Sequence, residues 1–124
     1  MTNGEILAEL DHDDYLTPDC AEFLMKAADK HKDVGFFYSD CVESREDHTS
    51  IIYSDGFACG YGVYKKEEAL GRTYDVSIAP NINPKTIRHI VGIPNHIRAW
   101  RRDVYFLAGG HCRNLTIADD YELI

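Results

Sequence analysis

No apolar run in this 124-residue chain approaches the roughly 20 residues that a membrane-spanning helix needs. The opening Met1-Thr2-Asn3-Gly4 carries neither the basic segment nor the apolar core of a secretory signal. No membrane span is expected, and the expected compartment is the cytoplasm. The four cysteines, Cys20, Cys41, Cys59 and Cys112, are scattered and show no paired zinc spacing. They are read as reduced thiols, most of them buried. Basic charge is in deficit, with 13 Lys and Arg against 21 Asp and Glu, a net charge of −8. An acidic chain gains nothing from counterion release, so nucleic acid is not an expected partner. There is no internal repeat, no low-complexity segment and no evident linker. Neither His-x-His nor His-Glu-x-x-His occurs, which removes the best-defined zinc-hydrolase signatures.

What is present is the composition of an ordinary folded protein, 44% hydrophobic, with a length that suits one domain and a modest core. The deficit of basic charge is uneven. Residues 1–62 hold 4 basic and 14 acidic side chains, and residues 63–124 hold 9 basic and 7 acidic ones. An acidic site can still accept a phosphorylated ligand when a metal ion inverts the local charge.

The organising stretch is Ile6-Leu7-Ala8-Glu9-Leu10-Asp11-His12-Asp13-Asp14. Its short apolar part reads as a buried strand. If the extended chain continues, Asp11 and Asp13 fall on one face, roughly 7 Å apart at Cα, within reach of one hard divalent cation. The same residues also compose a solvated acidic turn, and both readings stand at this point. Thr17-Pro18 predicts a helix start with Thr17 as cap, and the helix runs to about His31 with Phe23, Leu24 and Ala27 on one face. Val34–Cys41 reads as a central strand, Val42–Ser50 as a loop and Ile51–Tyr53 as a short edge strand. Asp55–Gly71 reads as a loop with a short helix near Lys66–Leu70. Strands are expected at Thr86–Val91 and His96–Trp100, then a short helix over Arg101–Leu107 stopped by Gly109-Gly110 in a left-handed cap. Asp119 and Glu122 have the spacing of a capping box for a last helix.

Three blocks stand out together: Gly4–Asp14 with Pro18 after it, Arg98-Ala99-Trp100-Arg101-Arg102 followed by Gly109-Gly110-His111, and Ala118-Asp119-Asp120-Tyr121-Glu122-Leu123. Their order and spacing resemble the family-two glycosyltransferases with the GT-A fold. The resemblance implies an α/β fold, a mixed sheet flanked by helices, of which this chain, as one domain over residues 1–124, is the C-terminal part without the nucleotide-binding N-terminal half. It implies that Asp11 and Asp13 bind the donor diphosphate through Mg or Mn, although the family's residue matching Asp11 lies near the ribose. It implies that Asp120 is the catalytic base, and that Asp119, His111, Arg98 and Trp100 lie toward the acceptor. The family commonly has Glu where this chain has Asp119. The implied reaction is metal-assisted transfer of a sugar from a nucleoside diphosphate donor to a hydroxyl of a saccharide or polymer acceptor, with inversion.

Plainer roles fit the same residues. Asp119 is a helix cap, His12, His96 and His111 are ordinary surface histidines, Arg98, Arg101 and Arg102 pair with surface acids, and Trp100 is core. Two other functions remain. One is a non-catalytic truncated domain that folds and self-associates, giving a homodimer. The other is a metal-dependent hydrolase built on Asp11, His12, Asp13 and a distant histidine.

Overall fold

The computed structural model describes residues 3–53, 62–88, 94–112, 114–115 and 123–124. It is a mixed α/β chain with two small antiparallel sheets, and its described residues group into two compact units. One unit comprises Met1–Tyr38 with Ile97–Ile124, and the other Ser39–His96.

In the first unit, β1 (Ile6–Glu9) is followed by α1 (Cys20–Lys30) and β2 (Phe36–Tyr38). The second unit contributes β3 (Tyr64–Ala69), β4 (Arg72–Ser77) and a single 3₁₀ turn at Thr86–Arg88. The chain then returns to the first unit as β5 (Arg98–Arg101) and α2 (Arg102–Leu107).

The sheet of the first unit has the order β1-β5-β2. The run Val34–Cys41 therefore yields an edge strand of three residues within this sheet, and the central position belongs to β5. The cause is burial on both sides. Arg98, Ala99 and Trp100 are 3%, 1% and 4% exposed, whereas β1 and β2 have no fully buried residue. Both neighbours pair with β5 antiparallel, Leu7 and Phe36 each opposite Trp100, and Glu9 and Tyr38 each opposite Arg98. The expected mixed sheet is thus absent among the described pairings, and the expected buried β1 is a half-buried edge. Trp100 packs its indole on Phe36 at 5.0 Å between centroids and meets the edges of Tyr105 at 6.0 Å and His111 at 5.9 Å. Truncating an aromatic side chain buried in this way typically costs about 3–5 kcal/mol.

The helix α1 starts two residues later than expected, at Cys20 instead of Pro18. Thr17 does not cap it; Thr17 accepts the Cys20 N–H at 3.0 Å and closes a turn, and Asp19 is the cap residue without a side-chain cap bond. Its far end is held from another element. The Arg101 guanidinium donates to the carbonyls of Ala28 at 2.6 Å and His31 at 2.9 Å, and its Nε donates to Val34 at 2.8 Å. The last carbonyls of a helix lack partners inside it, so one arginine does the work of a C-terminal cap.

The helix α2 follows β5 without a loop, because Arg101 keeps an extended backbone while Arg102 donates its N–H to Glu5 at 2.9 Å. Gly35 makes room for it: a Cβ there would stand 2.9 Å from both methyls of Val104. At its end Gly109 and Gly110 take φ of 99° and 67°, the left-handed stop that the sequence predicts.

In the second unit, β3 and β4 form a hairpin across Leu70-Gly71, both with positive φ (51° and 74°). A two-residue turn of this hand matches the twist of the strands it joins. The expected helix at Lys66–Leu70 is therefore strand. Lys66 reaches Asp75 directly opposite at 2.9 Å, and Thr73 hydrogen-bonds Glu68. The stretch Ile51–Tyr53 is not a strand, and Ile51 donates its N–H to Glu43 at 2.7 Å. Residues 86–88 are a 3₁₀ turn, drawn in by the Asn83 carboxamide accepting N–H groups of Lys85 and Thr86. The rest of the strand expected there lies outside the described residues.

Asp40 anchors this unit. It accepts the Ala79 N–H at 2.9 Å and pairs with Lys65 at 2.7 Å. Burial opposes its ionisation, but the Lys65 ammonium and the Ala79 N–H outweigh that and hold the carboxyl below the usual range. The hydrogen bonds of Lys65 to Asp40 and Glu67 raise the lysine in turn. Asp40 thus contributes stability that is fully present above about pH 4, the ordinary aspartate value, and is lost as the pH falls through its lowered one. Acid unfolding of the second unit, followed by amide NMR signals of β3 and β4, is expected to begin only below pH 4. Asp40→Asn is expected to lower stability at neutral pH and to flatten that acid dependence.

Candidate functional site

The strand β1 ends at Glu9, opposite Arg98 of β5. The opposition puts Arg98 Nε 2.9 Å from Glu9 Oε2, with side-chain exposures of 4% and 20%. The other carboxylate oxygen of Glu9 lies 3.3 Å from His111 Nε2. His111 reaches this point because the Gly109-Gly110 turn reverses the chain after α2. Tyr105 lies beneath the turn, with its hydroxyl 2.9 Å from His111 Nδ1 and accepting the His111 backbone N–H at 3.2 Å. Two of the three sequence blocks, the end of β1 and the Gly-Gly-His turn, are therefore neighbours.

Beyond Glu9 the chain leaves the sheet rather than extending it. Asp14 donates its N–H to the Asp11 carbonyl at 3.2 Å, closing a turn, and residues 10–19 are exposed. The alternation that put Asp11 and Asp13 on one face applies only to extended chain, so the geometric argument for that pair lapses. The turn instead brings one carboxylate oxygen of Asp11 within 4.8 Å of one of Asp14. Asp13 sits between them on the same turn with His12 Nδ1 at 3.9 Å. The Asp11 and Asp14 oxygens brought together on this exposed turn could contribute to holding a metal ion.

Among the other candidates, Arg98 is buried against Glu9, and Trp100 is core with no face open to a sugar. Arg101 holds carbonyls of α1 and the loop after it, with its guanidinium over Phe37 at 5.6 Å, so its role here is structural. Arg102 lies over Phe106 at 5.7 Å and lines an open depression with Glu5, Lys32, Arg101 and Asp103. His96 is half-buried. Asp119 and Asp120 lie outside the described residues, as does Cys59.

Comparison with protein-family models, with curated proteins and with solved structures gives no match.

Sequence reasoning passed over Glu9 and Tyr105. Glu9 had a signal, since it is a lone charge in an otherwise apolar strand, and such a charge is kept inside only when paired. Tyr105 had none, because its partner is set by the reversal at Gly109-Gly110. Arg101→Lys tests the structural role given to that arginine. One ammonium cannot span three carbonyls, so thermal or urea unfolding is expected to show a loss of about 1–3 kcal/mol, with the turn at residues 11–14 unchanged in its amide spectrum.

Proposed function

We propose that this chain carries the cation-binding and acceptor-side elements of a GT-A-type glycosyltransferase, which moves a sugar from a nucleoside diphosphate donor to an acceptor hydroxyl with inversion. The observation that carries the reading is the return of Gly109-Gly110-His111 to the end of β1, with His111 3.3 Å from a residue two positions before Asp11. Motifs about a hundred residues apart thus adjoin, as a shared site requires.

In this reading Asp11 and Asp13, with Asp14 on the same turn, hold Mg or Mn. The cation supplies charge stabilisation for a leaving diphosphate. The chain's own part would be to hold that cation through the carboxylates of this exposed turn. Asp120, beside Asp119, is the proposed base that takes the acceptor proton, a role worth on the order of 10² to 10⁴ in rate. The acceptor is proposed to be a saccharide or a polymer. His111, beside Glu9 and Tyr105, is proposed to lie toward the acceptor.

A second reading, a non-catalytic module that self-associates, is favoured by exposed apolar side chains on the first unit, among them Phe23 at 64% and Leu107 at 88% exposure.

Calorimetric titration with Mn²⁺, alone and with UDP or GDP, tests the first reading. One saturable site is expected, tighter with nucleotide. Asp11→Ala and Asp13→Ala are each expected to weaken it by more than the ~10-fold that loss of an outer partner costs. Absence of saturable Mn²⁺ binding, or binding indifferent to both substitutions, removes the enzyme reading. Sedimentation of the same samples as a monomer at all concentrations removes the second.

A further inference from the structure

The two edges of the β3–β4 hairpin differ. Ser77 of β4 donates its N–H to Cys41 at 2.8 Å and accepts the Cys41 N–H at 3.2 Å, and the Asp75 N–H donates to Ser50 Oγ at 3.0 Å. The outer side of β4 is thus occupied within its own unit. Backbone groups point to alternate sides along an antiparallel strand. Ser77 lies opposite Tyr64, and the next residue, Ile78, donates its N–H to Val63 at 2.9 Å. The positions that bond β4 are therefore Val63, Lys65, Glu67 and Ala69. Tyr64, Lys66 and Glu68 turn their N–H and carbonyl groups the other way. Among the described residues β4 is the sole sheet partner of β3, and Lys65–Glu68 are exposed. A row of open backbone groups on such an edge is a template for another strand.

Charge ordinarily blunts an edge of this kind, lysine above all. Here the charge does not repel a copy, because Lys65-Lys66-Glu67-Glu68 sums to zero and is opposite in sign at its two ends. An antiparallel two-fold pairing has to set outward residues against outward residues. Centred on Lys66, it sets Tyr64 against Glu68 of the second copy and uses every outward residue of the strand. On the other face Lys65 meets Glu67 of the second copy, twice by symmetry. Val63, which is 52% exposed, meets Ala69 of the second copy. The like pair on the axis is the two copies of Lys66, and each has its own Asp75 at 2.9 Å. Centring on Lys65 or Glu67 instead would set that residue against itself and leave an outward residue of β3 without a strand residue opposite.

We propose that β3 is a self-pairing edge: two copies of this chain join antiparallel through Tyr64–Glu68 about a two-fold axis at Lys66, making one continuous sheet of two hairpins. An isolated two-stranded hairpin is marginally stable, so the second copy also stabilises the hairpin that binds it. The proposal is independent of the sugar-transfer reading. It differs from the second reading in using a backbone edge of the second unit rather than apolar side chains of the first.

Sedimentation of the whole chain over a concentration series, with amide hydrogen exchange at both ends of the series, tests it. A reversible monomer–dimer equilibrium is expected. The amides of Tyr64, Lys66 and Glu68 are expected to gain protection as the dimer forms, while those of Lys65 and Glu67 are protected throughout. Lys66→Pro removes an outward N–H and no bond to β4, so it is expected to abolish association and keep the amide signals of β4. Glu67→Lys sets like charges opposite one another twice and is expected to weaken association. It decides alone if Lys66→Pro does not fold. A monomer at every concentration, a dimer in which the Tyr64, Lys66 and Glu68 amides stay open, or a dimer indifferent to Glu67→Lys overturns the proposal. Mn²⁺ titration judges the sugar-transfer reading separately, since no residue of the acidic turn takes part in this pairing.

Discussion

The first unit depends on burying Trp100. Its strand has a partner on each side, and its indole is enclosed by Phe36, Tyr105 and His111 from three different segments. Antiparallel pairing places Leu7 and Phe36 opposite it, so one buried side chain aligns both neighbouring strands. The next residue, Arg101, turns from the sheet to the carbonyls at the end of α1. Hydrophobic burial thus positions β5, and the arginine beside Trp100 attaches the helix to it. Within four residues, β5 provides the buried aromatic, the helix anchor and the partner of Glu9.

The two kinds of charge pairing in this chain have different physical weight. The pairs of β3 and β4 lie at the surface, where water and salt screen them and each is worth little. They tolerate an alternating, charge-rich strand without a core on that side. The pair of Glu9 and Arg98 is nearly withdrawn from solvent. Desolvating two ions is costly, and what such a pair supplies best is specificity, since any other register leaves a buried charge without its partner. A slip of β1 against β5 by one residue would separate Glu9 from Arg98 and turn Leu7 away from Trp100. Register, burial and the direction in which the acidic turn leaves the sheet are therefore one constraint. The Gly109-Gly110 reversal adds His111 to it.

Elements with local signals were legible. The short apolar run of Ile6–Glu9, a strand expected at His96–Trp100 and found at Arg98–Arg101, a helix expected at Arg101–Leu107 and found at Arg102–Leu107, and its double-glycine stop all follow from patterns within a few residues. The helix after Pro18 was legible in kind, but its first turn was not, because Thr17 uses its carbonyl in a turn instead of its hydroxyl in a cap. The hairpin of β3 and β4 was not legible. Lys-Lys-Glu-Glu has weak strand preference, and Leu-Gly is a faint turn signal beside Asn-Gly. Its pairing is stabilised by groups that lie opposite only once it has formed.

The candidate site divides in the same way. The acidic residues of the turn, the double glycine and the histidine after it are properties of the sequence, because they depend on residue type and short spacing. Which acids face one another was decided by the turn that Asp14 closes onto Asp11, and this replaced the extended geometry that would have paired Asp11 with Asp13. That Arg101 serves a helix end, and that His111 meets Glu9, was decided only by tertiary structure. Both contacts join segments far apart in the chain, and their energies depend on distance and desolvation rather than on any pattern along it.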